Sequence, residues 1–114
     1  MMLASPASIA HARAITSEEA LETYAMRLLA LRKWTEARTA LHQLALLTPQ
    51  VTRLRALLAY ARGHEAVEVG EITRARSEWE RALTLDPTLD DARHALNQHR
   101  LPWIRRVMRR LTAA

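Results

Sequence analysis

Cysteine is absent from this chain of 114 residues, and so is phenylalanine. The first absence excludes disulfides, thiolate zinc centres and cysteine nucleophiles together. Glycine occurs twice, at Gly63 and Gly70, so no glycine-rich loop can cradle a phosphate. Strand formers are scarce among the alanine, leucine and arginine that dominate, which excludes an all-β fold. No run approaches the ~18 uninterrupted apolar residues of a membrane-spanning helix. Lysine is nearly missing as well: Lys33 is the one lysine in the chain.

What remains is a helix-forming composition with uneven charge. Hydrophobic residues make up 49% and charged residues 25%, which excludes disorder throughout. The net charge is +5, yet from residue 92 onward there are six arginines and no acid, so the rest of the chain is close to neutral. At the start, Ala10-His11-Ala12 and Ala12-Arg13-Ala14 resemble small-residue cleavage sites. No cation precedes Arg13, however, and Ser5, Pro6 and Ser8 interrupt the apolar run. Residues 1–15 therefore read as a flexible leader rather than an export signal, and a cytoplasmic setting is expected.

Five to six helices are expected. Thr16-Ser17-Glu18-Glu19 has the form of a capping box, placing the first start at Thr16. Leu21, Tyr24, Ala25, Leu28 and Leu29 then recur at helical spacing to about residue 32. A second helix runs from Trp34 to about Thr48, and Pro49 suits the first turn of a third over roughly 50–69, which Gly70 caps. The fourth spans about Thr73 to Leu85. A fifth, about 88–100, is stopped by Pro102, which opens a sixth.

Helices two and four repeat one another at an offset of 38 residues. Ala37, Leu41, Leu44 and Pro49 lie over Ala75, Trp79, Ala82 and Pro87. An alanine permits close helix approach, the larger residue four on fills the groove beneath, and the proline ends the hairpin. This spacing resembles the tetratricopeptide repeat, whose second helix ends in A-x₃-F…P. The resemblance covers roughly residues 18–97, as repeats of about 18–49 and 50–87 and a capping helix over 88–100, within a domain of 16–101. It implies a short all-α solenoid of antiparallel helix hairpins. Arg32 stands where a turn glycine is usual, and Gly63 stands at the small-residue position of the second outgoing helix. A period of 38 against the family's 34 implies about one extra helical turn near 50–55. Two repeats are fewer than the ~3 that usually suffice, so capping helices, a dimer or a partner must complete the stack.

Nothing in the sequence has the pattern of an active site. His64-Glu65 lacks the second histidine of H-E-x-x-H, and His94 and His99, five apart, point to different faces. No enzyme, metal or cofactor is expected. The resemblance instead implies an adaptor or scaffold whose concave face, built from the outgoing helices, binds a helical or extended peptide segment. Carried over by position, that groove is Glu19, Glu22, Met26 and Leu29, then Leu57, Tyr60, His64 and Val67, then Asp91, His94 and Gln98. The lysine, asparagine and arginine that clamp a peptide carboxylate in this family are not at those positions. An apolar floor with acidic flanks suits an amphipathic helix or a basic segment. A small bacterial secretion-type chaperone for one client is an alternative of the same kind.

Residues 102–114 form a basic amphipathic pattern. Trp103, Ile104, Val107, Met108 and Leu111 fall on one face of a helix, and Arg105, Arg106, Arg109 and Arg110 on the other. Packing on the chain's own last repeat is the favoured reading. A membrane surface or an acidic partner stays open, whereas the lack of interleaved stacking aromatics disfavours nucleic acid.

Overall fold

The structure is a computed structural model that describes residues 6–100, with side chains from Ser17 onward. Among the described residues the chain is all-α and has no strand. It comprises α1 (Pro6–Ala30), α2 (Trp34–Leu47), α3 (Thr52–Glu68), α4 (Ile72–Leu85) and α5 (Asp90–Gln98). Each helix packs on its neighbour in sequence, α3 against α4 most extensively. Short turns between them make the arrangement a run of antiparallel hairpins.

The 38-residue offset holds in three dimensions. Ala37 and Ala75 are both fully buried, as are Leu41 and Trp79, and Leu44 and Ala82 are buried at equivalent positions. The hairpin turns also match. After α1, the amide of Arg32 donates to Leu29 O and that of Lys33 to Leu28 O. After α3, the amide of Gly70 donates to Val67 O and that of Glu71 to Ala66 O. Both pairs form a Schellman closure, which needs a left-handed residue at its centre. Gly70 supplies it at φ +80°, and Arg32 supplies it at φ +60° despite its side chain. α3 has 17 residues against 14 in α2 and in α4.

Two cores sit side by side. The first is aliphatic: Leu28, Leu41, Leu44, Leu54 and Leu58 pack around Ala25, Ala37, Ala40 and Ala61. The second is a cage of alanines, Ala59, Ala66, Ala75, Ala82, Ala92 and Ala95, around the fully buried Trp79. Its indole Nε1 donates to Tyr60 O at 3.2 Å. Gly63 is what admits the ring, because a Cβ at that position would overlap the indole. The spacing therefore places a glycine where close approach demands one.

Several boundaries differ from expectation. α1 begins at Pro6, so Thr16 lies within the helix rather than at its start. Proline at a first helical position fits, since its missing N–H has no intrahelical acceptor to lose. Pro49 falls in a loop rather than in the first turn of α3, which starts at Thr52 after the extended Val51. α5 starts at Asp90 rather than 88, because the Asp86 carboxylate accepts from both the amide and the hydroxyl of Thr88 and holds a turn there. It ends at Gln98 rather than 100. The expected sixth helix, with Arg105, Arg106, Arg109 and Arg110, lies outside the described residues.

Candidate functional site

The α1–α2 turn, α3 and α5 enclose a cavity of about 310 Å³. Helical spacing decides what reaches it: Tyr60 and His64 lie one turn apart on α3, and Asp91, His94 and Gln98 follow at steps of three and four on α5. Leu29 comes from the end of α1, Arg32 from the turn that follows and Trp34 from the start of α2.

Its wall is aromatic. Trp34 and His64 stack with ring centroids 3.9 Å apart and planes within 9°. Tyr60 stands edge-on to both, at 5.7 Å from Trp34 and 4.8 Å from His64. Behind them His64 meets Trp79 at 5.0 Å, and Trp79 meets His99 at 5.1 Å. The Arg32 guanidinium lies 5.9 Å from the Trp34 ring centroid, within cation–π range. Arg32 and Asp91 are both exposed, so a cation and a carboxylate sit at the mouth.

His64 is buried and its Nε2 has no hydrogen-bond partner. Burial, reinforced by Arg32 and His99, lowers its pKa to about 4, so the ring is neutral near pH 7. Burial also raises the Tyr60 hydroxyl, with Asp91 adding in the same direction, so it stays protonated. A neutral aromatic wall beneath two opposite charges is suited to holding a planar or apolar side chain, with polar selection at the rim.

Just over half of the expected groove residues meet here: Leu29, Tyr60, His64, Asp91, His94 and Gln98 line this cavity. The others are elsewhere. Glu19 and Glu22 line a separate cavity of about 240 Å³ between α1 and the α2–α3 loop. There Glu22 is paired with Arg53. Leu57 belongs to the aliphatic core, Met26 packs half-buried against it, and Val67 packs half-buried against the alanine cage. Of the expected repeat-packing residues, Ala37, Leu41, Leu44, Ala75, Trp79 and Ala82 are buried, while Pro87 is exposed in the turn before α5.

His94 and His99 do diverge: His94 lines the cavity, whereas the His99 ring packs on Trp79 with its Nδ1 3.0 Å from Ala95 O. Asp90 pairs with Arg93 rather than with His94. Among the described residues, no three His, Asp or Glu side chains converge as a metal site, and no helix is long and apolar enough to cross a membrane. Arg32 escaped the sequence reading as a lining residue, although it was visible there as a departure from a turn glycine.

Comparison with protein-family models, with curated proteins and with solved structures gives no match.

Proposed function

We propose that this chain is a non-catalytic interaction module of tetratricopeptide type, an adaptor that seats one segment of a partner protein against the concave cavity. The observation that carries the reading is Arg32. A non-glycine residue at φ +60° costs on the order of 1–2 kcal/mol, and glycine fills the equivalent turn 38 residues later. The strained residue is also the one that places a cation over Trp34 at the cavity mouth. Strain tolerated at a recognition surface is a common way of holding a side chain in place. A cytoplasmic location goes with this proposal.

The preferred segment carries an apolar or planar anchor for the Trp34–Tyr60–His64 wall and a donor or cation for Asp91. Panning a displayed peptide library on the wild-type chain tests it. Recovered peptides are expected to share such an anchor and to lose binding to Tyr60→Ala and Asp91→Lys, while the circular dichroism spectrum of both variants is unchanged. Peptides that bind both variants with wild-type affinity would rule the cavity out as the site.

A further inference from the structure

On the other side of α3 the chemistry reverses. Residue 62 is rotated about 200° from residue 60 around the helix, so Arg62 faces away from the concave cavity. It lines two further cavities at once. One, of about 500 Å³, has Arg38, Arg62 and Arg74 in its wall and Val69 at its edge. The other, of about 350 Å³, has Arg55, Arg62 and Arg81 beside Leu46 and Leu58. Through Arg62 the two form one groove along α3, between α2 and α4.

The arginines are regularly spaced. Arg55 and Arg62 are seven residues apart on α3, and Arg74 and Arg81 are seven apart on α4. Because the helices are antiparallel, Arg55 shares one cavity with Arg81 and Arg62 shares the other with Arg74. Seven residues is about 10.5 Å of helix, so cationic pairs stand two turns apart. Arg38 is paired with Glu65, and Arg74 with Glu71. Arg55, Arg62 and Arg81 have no acidic partner among the described residues. Beside the charges Leu46 and Val69 are each 69% exposed; the smaller cavity is also lined by apolar Ala45, Leu58 and Ala59, whereas Glu65 and Glu78 share the wall of the larger one.

We infer that this groove docks an acidic amphipathic helix of a partner protein, with carboxylates seven residues apart over the two arginine pairs and leucine-sized residues against Leu46 and Val69. A heptad repeat of acids on one helix matches the arginine spacing in register, and the apolar turns between them meet the exposed Leu46 and Val69. The uniform charge of a nucleic-acid backbone fits less well. Glu65 and Glu78 line the larger cavity, an oxygen of Glu78 is buried there without a hydrogen-bond partner, and no aromatic ring offers a base a stacking surface. The chain's own residues 102–114 carry arginine and no acid, so they are mismatched in sign. This inference is independent of the concave site.

Fluorescence anisotropy with a labelled 21-residue helical peptide tests it, the peptide carrying glutamates at seven-residue intervals and leucines three and four positions on. A peptide with lysines in place of the glutamates and a labelled 20-base-pair DNA duplex serve as comparisons, all at 150 mM salt. The acidic peptide is expected to bind, the lysine peptide not to, and Arg62→Glu with Arg81→Glu to weaken binding at least tenfold, with Tyr60→Ala leaving it unchanged. Arg55→Gln with Arg81→Gln, which alters two exposed side chains, is expected to weaken it several-fold should the reversal not fold. Equal affinity for both peptides, insensitivity to both double variants, or tighter binding of the duplex would overturn the proposal. So would a dimer of the free chain, seen by sedimentation, that the charge reversal abolishes, since that would give the groove to a second copy.

Discussion

The two halves of the molecule repeat one backbone design and fill it in opposite ways. Around α2 the space is taken by many leucines of similar size. Around α4 it is taken by one indole, caged by alanines and Gly63 with the buried His64 ring beside it. A core of many equal parts spreads the cost of losing any one of them, whereas a core built on a single side chain concentrates it. The repeat therefore constrains where the helices run, and leaves open how the volume between them is divided.

That contrast can be broken by substitution. Trp79→Ala is expected to cost about 3–5 kcal/mol, and Leu41→Ala, at the matching position, about 2–3 kcal/mol, both read from urea unfolding midpoints. Equal losses would mean that the alanine cage collapses around the missing ring, and the comparison would fail. The next largest effect is expected from pH. The His64 pKa falls to about 4 in the fold from an ordinary 6.5, so the folded chain binds fewer protons than the unfolded one between those values. Its contribution is complete above about pH 6.5, shrinks as the pH drops towards 4, and amounts to at most about 3 kcal/mol. His64→Phe should flatten stability over that window, and a slope unchanged in that variant would assign the titration elsewhere.

Gly63→Ala sharpens the picture at a smaller scale. It is expected to cost about 1–3 kcal/mol by overpacking against the indole. In a Trp79→Leu background the same change should cost markedly less, because the two positions share one volume. The smallest effects belong to the turns. Nothing lies within 4 Å of a Cβ at Gly70, so Gly70→Ala should cost only its left-handed backbone, about 1 kcal/mol. Arg32→Gly should do the reverse, stabilising the chain by about 0.5–1 kcal/mol while loosening the concave cavity. Thermal unfolding of the pair reads both signs.

Much of the fold was legible because helical periodicity and the offset of Ala37, Leu41 and Leu44 from Ala75, Trp79 and Ala82 are local patterns. Helix starts were less so. A capping box at Thr16 is a valid start signal, but a helix already under way passes through it when the preceding residues are also helix formers. The concave site was half legible. Tyr60, His64, Asp91 and His94 follow from repeat position, whereas Glu22 depends on a partner, Arg53, from another helix. The arginine groove was not read at all. Arg55, Arg62, Arg74 and Arg81 are spaced by sevens on two separate helices, and nothing in one dimension says that those helices lie side by side.

Arg76 reaches from α4 to the end of α5, where its Nη1 donates to Leu96 O and His99 O, each at 2.9 Å. α5 has nine residues, too few to hold a helix in water without help, and the carbonyls of Leu96 in its last turn and of His99 just after it are satisfied by a side chain of the preceding helix. Fraying of α5 therefore breaks contacts that belong to α4, and loosening of α4 removes the cap from α5. The two helices form one cooperative unit, so amide hydrogens near the C-terminal end of α5 should exchange at the rate of that unit rather than at the rate of a free chain end.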